Sequence, residues 1–99
     1  MANPQTLIPM SNKTIQDYRV EIDRIDRQLM KLLNDRATVA IEIGKIKKNN
    51  NQPVYSPERE IKILEDLKIF NTGPISDQGL EKVFLRIFEE MKNLEKEVD

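Results

Sequence analysis

From Ile15 the chain repeats apolar residues at alternating spacings of three and four: Ile15, Tyr18, Ile22, Ile25, Leu29, Leu32, then Val39, Ile43 and Ile46. That alternation marks one face of a long helix. A single place in the register, between Leu32 and Val39, is held by Arg36. The helix is expected to begin near Ser11 to Thr14 and to fray in the Lys48-Asn49-Asn50-Asn51 run. About 34 residues at ~1.5 Å each give a rod of roughly 50 Å.

After a loop through Gln52 and Pro53 and a short extended stretch from Val54 to Ser56, Ser56-Pro57 opens a second helix. The Ser56 hydroxyl suits the N-cap and Pro57 the first helical position. This helix should run to about Asn71, with Ile61, Leu64, Leu67 and Phe70 among its apolar positions. Thr72-Gly73-Pro74 then stops it, with Gly73 free to turn left-handed at C′ and Pro74 unable to continue the helix. Ser76 or Asp77 caps a third helix, whose stripe is Leu80, Val83, Phe84, Ile87, Phe88, Met91 and Leu94. No strand or repeat is visible. The fold class expected is all-α, with residues 1–12 a flexible lead-in and 13–99 one domain.

Two short helices folded back on such a rod would leave much of its seam wet, and small lone cores rarely suffice. Pairing two rods in an intertwined homodimer removes the difficulty. The plain alternative is a three-helix bundle with a ragged end.

Composition narrows the chemistry. Of 99 residues, 33% are charged and 38% hydrophobic, with a formal net charge of −1, as expected of a single helix-rich domain. Cations and anions interleave, so neither nucleic acid nor membrane is predicted as a partner. There is no cysteine and no histidine, which removes disulfides, thiolate catalysis and the commonest metal ligand and general base. No secretory leader or membrane span is read in the chain, so a cytoplasmic location is expected.

Several charged residues stand where a solvated face does not explain them. Arg36 on the core register needs an anion, either a structural ion pair or a ligand, unless it snorkels outward. Lys47 follows it by eleven residues, ~16 Å along the axis and on nearly the same face, so the two could hold a small anion between them. Lys47 is also one of three lysines at a helix C-terminus, where cations are favoured anyway. Arg19 precedes Arg36 by seventeen residues, ~26 Å along one rod, and would reach a shared site only from an antiparallel partner. Glu58, Arg59 and Glu60 open the second helix, where the dipole favours carboxylates regardless of function. Glu95 continues the Phe84, Phe88, Met91 stripe and is either a carboxylate on an apolar face or part of a helix end that has left the core.

Taken together, Arg19, Leu32-Leu33-Asn34-Asp35-Arg36, Gly44-Lys45-Ile46-Lys47, Pro53-Val54 and Pro57-Glu58-Arg59-Glu60 resemble the all-helical chorismate mutases of the AroQ class. The resemblance spans about residues 14–96. It implies an intertwined dimer of three-helix subunits that converts chorismate to prephenate by an intramolecular Claisen rearrangement in aromatic amino-acid biosynthesis, with no cofactor. Carried over by position, it implies that Arg36 and the partner's Arg19 hold the two substrate carboxylates. Lys47 would donate to the ether oxygen and a carboxylate, and Glu60 would accept from the ring hydroxyl. Arg59 would orient Glu60, and the Ser56 backbone N–H would lie against the same hydroxyl.

Three positions depart from the family's commonest pattern. Ser56 stands where aspartate is frequent. Met91 stands where some members have a serine that donates to a carboxylate. Glu95 stands where many have a glutamine that donates to the ether oxygen, so the resemblance implies that Glu95 works only when protonated. The lyase that splits isochorismate to release pyruvate shares this fold, but the position matching Glu60 is apolar there. A weakly active module that binds chorismate or prephenate, or docks on another aromatic-pathway enzyme, is the alternative from a different class. A plain dimerisation device would tolerate leucine at position 36.

Overall fold

In the computed structural model, which describes residues 12–98, three helices follow one another: α1 over Ile15–Asn49, α2 over Pro57–Phe70 and α3 over Asp77–Lys96. Among those residues there is no strand. Ser11 and the rest of the expected lead-in up to residue 11 lie outside them. Two compact units are distinguished, one ending at Asp35 and one beginning at Arg36.

The first unit is the N-terminal part of α1, started by a reciprocal cap. The Asp17 N–H donates to the Thr14 hydroxyl at 3.2 Å, and the Asp17 carboxylate accepts the Thr14 N–H at 2.9 Å. These bonds satisfy donors that a helix start leaves orphaned. The Thr14 N–H, seconded by the Thr14 hydroxyl, holds the Asp17 carboxyl below its ordinary range. Lys13 pairs with Glu21 at 2.9 Å. The apolar register of this unit, including Ile15, Ile22, Ile25, Leu29 and Leu32, is exposed.

The second unit packs the remainder of α1 with α2 and α3. Its buried centre is Ala40 and Gly44 from α1 and Phe88 and Met91 from α3, with Phe84 edge-on to Phe88 at 6.1 Å between ring centroids. Ile63, Leu64 and Leu67 make the half-buried inner face of α2. Ile61, one residue off that face, is exposed, as are Phe70 at the last residue of α2 and Val83 on α3, although all three fell in the expected apolar sets.

The end of α1 differs from expectation. Instead of fraying, the asparagine run forms a defined stop: Asn51 takes a left-handed φ of 54°, its N–H donates to the Lys48 carbonyl at 3.2 Å, and the Gln52 N–H donates to the Lys47 carbonyl at 2.8 Å. These are the two bonds of a Schellman motif, with asparagine taking the place usually held by glycine. Lys47 is therefore fixed in a terminal turn of known geometry.

Ser56 is the N-cap residue of α2 in extended backbone, but its hydroxyl makes no capping bond. The start is set by Pro57 and by the Glu60 N–H donating to the Ser56 carbonyl at 3.1 Å. At the other end, the C-cap is Asn71 in extended backbone, and Gly73 takes its positive φ of 79° two residues later, not at C′. The Asn71 side chain holds this turn, accepting from the Gly73 N–H and donating to the Ile75 carbonyl and Asp77. Ser76, not Asp77, caps α3, its hydroxyl accepting the Gly79 N–H at 3.0 Å.

Candidate active site

A cleft of about 490 Å³ opens within the second unit, between the C-terminal part of α1, the start of α2 and the C-terminal half of α3. A volume of that order suits a small organic ligand. Its apolar walls include Val39, Ala40, Ile43, Val54, Ile63, Phe88 and Met91. Arg36, Lys47, Arg59, Lys92, Glu60, Glu95 and Ser56 supply its polar groups.

Each of these groups is placed by its element. Arg36 and Lys47 project from α1 three turns apart, as the helical register requires. The Arg36 guanidinium lies over the Phe88 ring at 5.7 Å, so its planar cation has an aromatic support and no carboxylate is needed to explain its place on the core register. Lys47 donates to the Val54 carbonyl at 2.8 Å, bridging the end of α1 and the loop that leads into α2. Its Nζ also stands 3.4 Å from Glu95 Oε1. Glu95 has not left the core: its side chain is only 9% exposed, against 21% for Lys47.

On the opposite wall Glu60 sits in the first turn of α2. Arg59 shares the cleft with it, yet the cation bonded to Glu60 is Lys92, with Nζ 3.0 Å from Oε2. Lys92 also lies over the Tyr55 ring at 4.5 Å. Lys92 is the charged cleft residue that sequence reasoning missed, since it carries no signal beyond following Met91 on α3. Arg19 is exposed and belongs to the first unit, outside the set that lines the cleft.

Four cations face two carboxylates here, leaving a formal excess of two positive charges. Low-dielectric walls strengthen those charges toward a bound anion. Among the described residues no cluster of three or more histidine, cysteine, aspartate or glutamate side chains is placed to hold a metal ion. The groups present can orient a small dianion, donate hydrogen bonds to its oxygens and accept one from a hydroxyl. These are the means of catalysis by orientation and electrostatic stabilisation, with neither nucleophile nor metal required.

Fold and cleft together define a helical small-anion site, and comparison with known proteins gives it a family. Residues 18–96 match the family model described as chorismate mutase type II, and the chain belongs to that family. A bifunctional chorismate mutase/prephenate dehydratase of Aquifex aeolicus is 36% identical over 88 residues, covering 85% of this chain and 24% of that protein. The chain thus spans about a quarter of the length of such bifunctional relatives. Among solved structures, a chorismate mutase of Thermus thermophilus superposes with a TM-score of 0.84 at 36% identity, over 88% of this chain and 99% of that one. The Helicobacter pylori chorismate mutase in complex with prephenate gives a TM-score of 0.78 at 28% identity, over 86% of this chain and 97% of that one.

Proposed function

We propose that this chain is a chorismate mutase, rearranging chorismate to prephenate in aromatic amino-acid biosynthesis, and that it acts as a cytoplasmic homodimer. The observation that carries the reading is the convergence of Arg36, Lys47, Arg59 and Lys92 with Glu60 and Glu95 on one apolar-walled cleft. Its excess of positive charge suits a dicarboxylate substrate.

The rearrangement breaks the ether C–O bond as a new C–C bond forms within the same molecule, so no atom enters or leaves. The enzyme's task is to hold the flexible dianion in its reactive chair and to stabilise negative charge growing on the ether oxygen. Arg36 grips one carboxylate and Arg19 of a second subunit the other. Lys47 donates to the ether oxygen, and Glu95 in its protonated form donates there too. Glu60 accepts from the ring hydroxyl against the Ser56 backbone N–H, and Arg59 adds positive potential. Met91 offers no hydrogen bond, so the substrate carboxylate near it rests on cations alone. The exposed apolar register of α1 supports pairing of two such helices. The bifunctional relatives support a role beside a further enzyme of the same pathway.

The test is direct. Purified protein is given chorismate, substrate absorbance is followed and the product is identified by chromatography; prephenate is expected. Release of pyruvate from isochorismate, with no prephenate from chorismate, would make the chain a lyase instead. Binding of prephenate without turnover would make it a ligand-binding or partner-docking module.

A further inference from the structure

We infer that Lys92 is a positioning residue of the cleft, holding the Glu60 carboxylate in the orientation that receives the substrate's ring hydroxyl; this rests on the reading of the site given above. Several of the chain's ion pairs, such as Lys31 with Asp35 and Arg86 with Glu89 and Glu90, lie within one helix, with both side chains more than half exposed. Pairs of that kind contribute little. Lys92 with Glu60 is different: the pair joins α3 to the first turn of α2, its side chains are 25% and 19% exposed, and both residues line the cleft.

The geometry divides the work of the carboxylate. Lys92 occupies Oε2 at 3.0 Å, which leaves Oε1 for a second donor. The ammonium is itself located from the other side by the Tyr55 ring, 4.5 Å away. A free Glu side chain populates several rotamers, whereas one tied at a single oxygen to a lysine, itself set between an aromatic face and α3, keeps fewer. The work that Arg59 was expected to do on Glu60 thus falls to Lys92, a residue from a different helix. Lys92 acts through Glu60 and therefore matters only where a hydroxyl is there to be accepted.

The experiment compares Lys92→Met, Lys92→Gln and Lys92→Arg, each alone and with Glu60→Gln. The substrates are chorismate and an analogue whose ring hydroxyl is replaced by hydrogen. Circular dichroism reports the fold, and Lys92→Gln keeps a polar, uncharged donor should the methionine variant unfold. On chorismate, Lys92→Met and Lys92→Gln should lose about tenfold to a hundredfold in kcat/KM, the scale on which misplaced substrate-gripping groups act. Lys92→Arg should recover most of it. The loss should shrink to a few-fold, the effect of one fewer cation near the dianion, in the Glu60→Gln background and on the analogue. An equal loss in both backgrounds, or on both substrates, would make Lys92 a general cation and overturn the inference, as would full activity of Lys92→Met. A wild-type chain that leaves chorismate unchanged overturns the function itself, and this role with it.

Discussion

Glu95 rests on the bare α-carbon of Gly44: a Cβ built there would stand 3.0 Å from Glu95 Cα and 3.1 Å from its Cβ and carbonyl oxygen. Most of that contact is backbone, which cannot swing aside as a side-chain tip can. The absence of a side chain at position 44 lets α3 approach α1 where Glu95 meets Lys47, three residues further along α1.

Gly44→Ala separates two opposing effects. In an open helix, alanine would gain up to ~1 kcal/mol over glycine. Here overpacking costs about 1–3 kcal/mol, and the strain is relieved by moving Glu95. The expected outcome is a lower melting temperature together with a drop in kcat/KM. A more stable and fully active Gly44→Ala protein would show that the approach of the two helices is not what places Glu95.

Arg36→Leu tests whether the cation on the α1 register serves a ligand or the seam. Leucine would complete the apolar pattern and keep contact with Phe88, over which the guanidinium now lies. The variant should fold, with a melting temperature at or above that of the wild type, because an apolar residue removes the desolvation cost of a half-buried cation. Its turnover of chorismate should fall by about a hundredfold or more, since a charge that grips a carboxylate has no substitute on this wall. Retained activity would remove Arg36 from the site.

The helices were legible from residue spacing: all three lie where periodicity, Pro57 and Ser76 place them. Spacing also put Arg36 and Lys47 on one face, but that Glu60 and Glu95, up to 59 positions from Arg36, share their cleft was implied only by the family resemblance. What was not legible depends on partners brought close only by folding. Lys92 looks like a solvent-face lysine until Glu60 and Tyr55 are set beside it. Gly44 is one more small residue until the α3 backbone is laid against it. The Asn49-Asn50-Asn51 run signals loop, but not that Asn51 would turn left-handed and end α1 sharply.

Asn51 should accordingly resist β-branched replacement. At a φ of 54° a valine is strained, at a cost of about 1–2 kcal/mol, whereas glycine adopts that conformation freely. Asn51→Val is expected to lower the melting temperature by several degrees and to weaken catalysis. It loosens the turn that holds the Lys47 carbonyl and, with it, the loop whose Val54 carbonyl accepts from Lys47. Asn51→Gly should match the wild type in both respects. If Asn51→Val melts and turns over normally, the turn is not what fixes Lys47.

Glu95 gives the sharpest test of what faces the ether oxygen. When ionised it can only accept hydrogen bonds, and it stands 3.4 Å from Lys47, so it both repels charge growing on the ether oxygen and competes with that oxygen for the lysine. When protonated it donates to the same oxygen and leaves Lys47 free to do likewise. Glu95→Gln puts a permanent donor at this position, which should raise kcat/KM on chorismate and free Lys47 from the carboxylate. An unchanged or lower kcat/KM for Glu95→Gln would show that a donor at position 95 takes no part, and that Lys47 alone carries the charge on the ether oxygen.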